Sequence, residues 1–158
     1  MKTLNEMKLT IESRSVNEGF ARGAVALFSS QLDPTVEEIT EIKTAVSEAV
    51  TNCIVHAYKQ TIGLIYINAK IFDDNSIRIK IRDKGCGIDN IKRAMEPSFT
   101  TDPASERAGL GFAIMSAFTD NIKVYSSPGK GTSVLLCKKI KSKGQKICRQ
   151  PETSKETS

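Results

Sequence analysis

Glu48, Asn52 and His56 follow one another at intervals of four residues. On a helix that spacing places the three side chains on one face. Mg²⁺ prefers hard oxygen ligands and keeps most of its waters, so one amide oxygen together with phosphate groups is enough to hold it. A carboxylate beside such a site can orient and deprotonate an attacking hydroxyl or water. An ordinary solvated helix surface is the alternative interpretation, and for His56 a structural and a functional role both stay open.

A second group of candidate residues is Asp83-x-Gly85-x-Gly87, placed directly after a predicted strand. A fixed carboxylate can accept a hydrogen bond from an adenine amino group, and glycines let a flat base approach the backbone closely. Glycine-rich turns are also common at the ends of strands. Taken alone, the segment therefore indicates either a nucleotide-base site or a plain turn.

The third group is a pair of glycines, Gly109 and Gly111, at the start of a predicted helix, followed by Phe112. The free backbone N–H groups at a helix N-terminus form an anion site that suits phosphates. Arg107 can add a charge-assisted contact to a terminal phosphate. The preceding loop, residues 96–108, is predicted to act as a mobile lid. Its two adjacent hydroxyl residues are Thr100 and Thr101.

Other nucleotide and metal motifs are absent from the sequence. The string Gly129-Lys130-Gly131-Thr132 lacks the earlier glycine of a P-loop, and neither glycine pair extends to G-x-G-x-x-G. The motifs of eukaryotic-type protein kinases are missing as well. The four cysteines, at positions 53, 86, 137 and 148, include no C-x-x-C pair. The sequence therefore predicts free thiols rather than a zinc site.

The elements that must position these residues are predicted from caps and periodicity. Two capping boxes, Ser15–Glu18 and Thr35–Glu38, mark helix starts, and the second helix is expected to run to about Tyr58. Alternating or β-branched stretches predict strands, at about residues 7–11, 62–72, 77–82, 122–126 and 132–138. A shorter helix is predicted at about residues 111–119. This order predicts an α+β fold, a two-layer sandwich of helices over a mixed, mostly antiparallel sheet.

The distribution of charge limits the classes of function. The chain of 158 residues has a net charge of +5, and residues 138–158 hold seven basic and two acidic residues, so residues 1–137 are neutral overall. Because that body shows no basic stripe, no direct contact with nucleic acid is predicted. The folded domain is placed at 1–140, with a basic, disordered tail at 141–158. For that tail, contact with nucleic acid or with an acidic partner stays open as the alternative. Since the sequence has no apolar run long enough for a membrane span and no signal peptide, a cytoplasmic protein without membrane contact is predicted.

In order and spacing, the three groups resemble the N, G1 and G2 boxes of the ATPase superfamily that contains gyrase, Hsp90, histidine kinases and MutL. Longer strings narrow the resemblance, namely QLDPTVEEITEIKTAVSEAVTNCIVHAY, DKGCGI, EPSFTTDP and ERAGLGFAIM. These strings are similar to the anti-sigma F factors of spore-forming bacteria. The similarity covers roughly residues 4–140, and it implies the Bergerat-type ATP-binding fold.

The resemblance implies ATP or ADP as the ligand and Mg²⁺ as the accompanying metal. Asn52 would be the Mg²⁺ ligand, and Glu48 would be the general base. Asp83 would contact adenine, and the residues that shape the adenine end of the pocket would be Gly85, Gly87, Ile88 and Thr132. The phosphates would be held by Gly109, Gly111, Phe112 and the lid residues Thr100 and Thr101, with Arg107 at the γ-phosphate.

The same resemblance implies an anti-sigma factor that forms homodimers and inhibits sporulation sigma factor F. It also implies a kinase that phosphorylates a serine of an anti-anti-sigma protein. The exposed side of the first helix, around Arg22, is a candidate interface on the same ground. Two alternatives stay open: a nucleotide-gated sigma-sequestering protein without kinase activity, and the related switch kinase that antagonises a stress-response sigma factor.

Overall fold

The structure, a computed structural model, describes residues 1–97 and 110–141. Predicted site residues that lie outside these ranges are Thr100, Thr101, Arg107 and Gly109. The predicted tail from residue 142 onward lies outside them too. The roles expected for these residues therefore stay predictions.

Strands and helices follow one another in the order expected for the α+β class. The strands are β1 (Thr3–Glu12), β2 (Leu64–Phe72), β3 (Ser76–Arg82), β4 (Asn121–Ser127) and β5 (Gly131–Lys139). The α-helices are α1 (Val16–Ser29), α2 (Val36–Asn52), α3 (Ile91–Ala94) and α4 (Gly111–Phe118). A 3-10 turn, Ser30–Leu32, follows α1, and a π-helical turn, Cys53–Ala57, follows α2. Within the two described ranges, no helix is long and apolar enough to cross a membrane.

The five strands form one sheet in the order β1-β2-β3-β5-β4. Each neighbouring pair is antiparallel. The predicted fold class is thereby confirmed. The sheet was expected to be mixed and mostly antiparallel, whereas every pair of the described strands is antiparallel.

One face of the sheet packs against the helices. Along β2 and β3 every second residue is apolar and buried, namely Ile65, Ile67, Ala69, Ile71, Ile77, Ile79 and Ile81. From α2 the facing residues are Ile42, Val46, Ala49 and Val50. Burial of each large side chain contributes about 1.5–3 kcal/mol. This packing fixes α2 on the sheet and so positions the polar residues near its C-terminal end.

Only one of the two predicted capping boxes is present. Thr35 Oγ1 accepts a hydrogen bond from Glu38 N at 3.1 Å, and the Glu38 carboxylate accepts one from Thr35 N at 2.9 Å. The prediction at Ser15 is wrong, because Ser15 is already helical, with ψ −31°, and its side chain makes no cap bond. An N-cap side chain needs extended backbone to reach the following N–H groups. Here the chain turns earlier, with Asn17 N donating to Arg14 O.

The second helix ends at Asn52, six residues before the predicted end at Tyr58. Tyr58 N donates to Cys53 O at 3.1 Å, which closes a wider π turn. The wider turn breaks the 3.6-residue period, so the line from Glu48 through Asn52 does not extend regularly to His56. Single π turns of this kind are frequent at functional sites.

The opposite face of the sheet carries much of the positive charge of the chain. On β3, Arg78, Lys80 and Arg82 alternate with the buried isoleucines and therefore point away from the helices. The expectation that the body has no basic stripe is wrong. The net charge of the body is zero, but folding places many of its positive charges on the face of the sheet opposite the helices.

Candidate functional site

A cavity of about 360 Å³ lies between the C-terminal end of α2 and the adjoining ends of β3 and β5. This volume is within the range of small-molecule sites. The predicted site residues that line it are Glu48, Asn52, Asp83, Gly87, Ile88, Gly111, Phe112 and Thr132. The fold thus brings residues from all three sequence groups to one place.

Glu48 and Asn52 line this cavity from the last turns of α2. Glu48 is only 5% exposed, so the interpretation of its helix face as a solvated surface is wrong. A Cβ at Gly111, the first residue of α4, would lie 3.3 Å from Glu48 Oε2 and 3.3 Å from Asn52 Oδ1. The start of α4 therefore packs directly against a carboxylate and an amide, and glycine leaves room for their oxygens.

This arrangement suits phosphate and magnesium chemistry. Backbone N–H groups at the start of α4 favour an anion, the amide oxygen of Asn52 fits a hard cation, and the Glu48 carboxylate lies beside both. In the part of the chain that the structure describes, no cluster of three or more His, Cys, Asp or Glu side chains could hold a metal ion. A cation at this point would therefore need phosphate oxygens and waters to complete its ligands.

Asp83 lies at the other end of the cavity, 3% exposed. Its Oδ1 accepts hydrogen bonds from Gly85 N at 2.9 Å and from Thr132 N at 3.2 Å. Its own backbone N–H donates to Thr132 O at 2.9 Å. These bonds hold the carboxylate in one orientation. A buried acceptor of fixed direction can recognise an amino group on a flat ligand.

Cys53, predicted from the sequence only to be a free thiol, also contributes to the site. Its side chain lines the cavity and donates from Sγ to Asp83 Oδ2 at 3.6 Å. Burial, together with the charge of Asp83, raises the pKa of the Cys53 thiol well above its ordinary value of 9.0. The group therefore remains a protonated hydrogen-bond donor and does not become a nucleophile. Its place next to Asn52 was the sequence signal for this role.

Comparison with known proteins agrees with this geometry. Residues 11–138 match the histidine kinase-like ATPase domain family. The anti-sigma F factor of Caldanaerobacter subterraneus subsp. tengcongensis is 55% identical over 140 residues, 89% of this chain and 97% of the relative. That of Clostridium acetobutylicum is 50% identical over 136 residues, 86% and 94% of the two chains. The chain belongs to the anti-sigma F factor family.

Solved structures support the fold of this anti-sigma F factor family member independently. The crystal structure of the RsbU and RsbW domains of a Mycobacterium tuberculosis protein superposes with a TM-score of 0.62 at 17% identity, over 86% of this chain and 32% of that one. The histidine kinase domain of a blue-light-activated kinase from Erythrobacter litoralis gives 0.51 at 20% identity, over 78% and 61%. At these identities the likeness shows the fold alone. The chain is an anti-sigma factor relative built on a kinase-like ATPase domain.

The two glycines after Asp83 are required by close packing of the loop backbone, and of the two only Gly87 lines the cavity. A Cβ at Gly85 would lie 2.4 Å from Ala57 O, and Gly85 is not among the residues that line the cavity. Gly87 has φ +74°, and a Cβ there would lie 2.1 Å from Ser127 O. The glycines therefore let the loop close against the π turn and the β4–β5 hairpin.

A hydroxyl pair fixes the same loop from the side of β4 and β5. Ser126 Oγ lies 2.8 Å from Thr132 Oγ1 and accepts a hydrogen bond from Ile88 N at 2.8 Å. Ile88 and Thr132 thereby keep their places in the cavity wall. Ser126 was not predicted, because its role depends on the register of the hairpin and not on a motif.

Two cations that the sequence motifs do not include also line the cavity of this anti-sigma F factor relative. They are Lys59, after the π turn, and Arg93, on α3. Helix α3 was not predicted, although Asn90 caps it by accepting from Arg93 N at 3.0 Å. Positive charge at these positions favours a ligand that carries phosphates.

Proposed function

We propose that this chain is an ATP-dependent protein-serine kinase that also binds and inhibits sporulation sigma factor F. The observation that carries the proposal is the contact of Glu48 and Asn52 with the start of α4. It sets a carboxylate beside the helix end that would receive the phosphates of ATP. A protein that bound nucleotide without transferring phosphate would need no base at that position.

In the proposed reaction Glu48 takes the proton of a substrate serine. The serine oxygen bonds to the γ-phosphorus while the bond from that phosphorus to the leaving oxygen of ADP breaks. Mg²⁺ bound with ATP would neutralise part of the phosphate charge. The amide oxygen of Asn52 is the protein group that would hold this ion. Asp83 accepts a hydrogen bond from the adenine amino group. Lys59 and Arg93 add positive charge along the cavity wall.

The sigma-binding part of the proposal is supported by the names of the relatives and by an apolar stripe on α1. Val16, Phe20 and Leu27 are 77%, 57% and 77% exposed, and their spacing sets them on one side of the helix. Arg22, the centre of the expected interface, lies about 140° around the helix from this stripe, and its guanidinium is 3.6 Å from Glu18. Large apolar side chains exposed together are typical of protein interfaces. We assign this stripe to contacts in a homodimer and its sigma complex.

The deciding experiment mixes the full chain with Mg-ATP and the anti-anti-sigma protein of the same organism, and measures the intact mass of that protein. A gain of roughly 80 Da on one serine of that protein is expected. Glu48→Gln should abolish the gain while calorimetry still detects ATP binding, because the amide keeps the shape of the side chain but cannot accept the proton. Glu37→Gln, exposed on the same helix, is the matched control and should retain the gain.

Other outcomes separate the alternatives. Binding of ATP and sigma F by the native chain without any mass gain would favour nucleotide-gated sequestration. A gain on a stress-response anti-anti-sigma protein alone would favour the related switch kinase. A gain that survives in Glu48→Gln would reject Glu48 as the base.

A further inference from the structure

The face of the sheet that points away from the helices, which we call the open face, is strongly basic. Its cations are Lys8, Lys70, Arg78, Lys80, Arg82, Lys123 and Lys139, with Lys84 directly after β3. Its acidic residues, within the described strands, are Glu6 and Glu12. Residues 14–60, which form most of the helical layer, instead hold four basic and six acidic residues. The protein is therefore electrically polarised although its body is neutral.

Neighbouring carboxylates neutralise only part of this charge. Glu6 lies 3.6 Å from Lys70 Nζ and 3.8 Å from Lys8 Nζ. Glu12 pairs with Arg14 at 2.6 Å. Within residues 1–97 and 110–141, the open-face cations that form no ion pair include Lys80, Arg82, Lys84 and Lys123. Positive surface charges that lack neutralising partners attract polyanions.

Strand register spreads these cations in two directions. Arg78, Lys80 and Arg82 follow one another along β3 at about 6.8 Å, the distance between alternate residues of a strand. Lys8 and Lys123 lie in the same cross-strand row as Lys80, one on each side of it. A polymer with regularly spaced negative charges can therefore contact several cations at once.

Aromatic rings accompany the cations. Tyr66 and Tyr125 lie in one cross-strand row with Arg82, about 14 Å apart at the usual spacing between strands. Tyr125 is 61% exposed. Lys84 Nζ lies 5.2 Å from the centre of the Tyr66 ring. The open face thus offers ring surfaces next to cations, the combination that single-stranded nucleic acids use for stacking and phosphate contact.

The chemistry of the face excludes other occupants. A second copy stacked face to face would bring like charges together, which opposes association. A folded protein partner would need the apolar centre of a typical protein interface, whereas Asn68, Lys80 and a half-buried Leu135 occupy the centre here. A flexible polyanion that carries flat rings matches both the cations and the tyrosines.

We propose that the open face binds single-stranded nucleic acid, with phosphates on the β3 cations and bases against Tyr66 and Tyr125. This proposal replaces the expectation of no nucleic-acid contact, which was drawn from total charge. It does not depend on the kinase reaction, because the open face and the cavity are on opposite sides of the sheet.

The test measures fluorescence anisotropy of a fluorescein-labelled 20-nucleotide oligouridine with the full chain at 50 and 200 mM salt. The double variant Lys80→Glu/Arg82→Glu should weaken binding at least tenfold. Loss of two phosphate contacts should also lower the slope of log affinity against log salt by about 1.4. The matched control is Lys43→Glu/Lys92→Glu, two exposed cations outside the open face, with the same change in net charge and the same basic tail. It should bind within twofold of the native chain.

Circular dichroism melts establish that each variant folds, and Lys123→Glu on β4 repeats the charge test on a different strand. Tyr125→Leu should weaken oligouridine binding threefold or more and leave heparin binding unchanged, since heparin offers no bases to stack. Equal losses in the two double variants would assign binding to total charge or to the tail and overturn the proposal. No binding by the native chain at 50 mM salt would also overturn it. A third pair of results would overturn the proposal: an unchanged affinity of Tyr125→Leu for oligouridine, and competition by polyglutamate that is as strong as competition by oligouridine. Together these results would assign the face to an acidic protein.

Discussion

The cavity at the end of α2 and the open face of the sheet both depend on charged side chains, but the two regions hold them differently. In the cavity, Glu48 and Asp83 are 5% and 3% exposed, and the Asp83 carboxylate is fixed by two backbone N–H groups and a thiol. On the open face, Lys80 and Arg82 are exposed to solvent. A buried charge needs partners of defined geometry, whereas an exposed one contributes through the summed field. Substitutions in the cavity should therefore affect stability and chemistry, and those on the open face only association.

The largest expected effect on stability concerns the loop that bounds the cavity. Gly87→Ala should lower the free energy of unfolding by about 3 kcal/mol, because alanine is strained at a positive φ and its Cβ would meet Ser127 O at 2.1 Å. Gly129→Ala is the matched control, since Gly129 has φ +75° but no atom within 4 Å of its Cβ position. It should cost about 1 kcal/mol. Urea denaturation of both variants measures the difference, and equal losses would show that backbone strain alone accounts for Gly87.

A smaller effect is expected at the buried carboxylate. Asp83→Asn should cost about 1.5–3 kcal/mol, because the charge-assisted hydrogen bonds from Gly85 N and Thr132 N become neutral ones. Lys80→Gln on the open face removes a charge as well but should change stability by less than about 0.5 kcal/mol. Thermal or urea melts of the pair test the comparison directly. Similar losses of stability in the two variants would mean that charged groups in the cavity contribute no more to folding than those on the open face.

The contact between α4 and α2 is tested by function rather than stability. Gly111→Ala should reduce phosphotransfer at least tenfold, because the added methyl would press on Glu48 Oε2 and Asn52 Oδ1 at 3.3 Å. Its unfolding free energy should change by less than about 1 kcal/mol, since alanine favours the helix. Rates with the anti-anti-sigma protein and a parallel melt give both values. An unaltered rate would show that phosphotransfer does not depend on the room that Gly111 leaves for the Glu48 and Asn52 oxygens.

The smallest expected effect is a pH dependence. The pKa of the Cys53 thiol is raised in the folded chain by burial and by the nearby Asp83 charge. Its contribution to stability is complete below the unfolded-state value near 9.0 and is lost as the pH rises above it. Cys53→Ala should therefore flatten the fall in stability as the pH rises above about 9. Cys86→Ala, at an exposed thiol, is the control and should leave the slope unchanged.

Part of the site could be predicted because it depends on local spacing. Glu48 and Asn52 are neighbours on any regular helix, and Thr35 with Glu38 marks where that helix begins. Asp83 follows a strand whose alternation is evident in the sequence. The same reasoning failed at Ser15, where the conformation of the preceding turn decides whether a serine can cap. It also missed Cys53 and Ser126, whose partners are 30 and 38 residues away.

The sequence by itself determined the fold class, the helix that carries Glu48 and Asn52 and the family to which the chain belongs, because these depend on periodicity and on short motifs. Only the tertiary structure decided that Glu48 is buried, since its burial comes from the packing of α4. It alone decided that the open face is basic, because strand register adds charges from five separate segments of a chain whose body is neutral in sum.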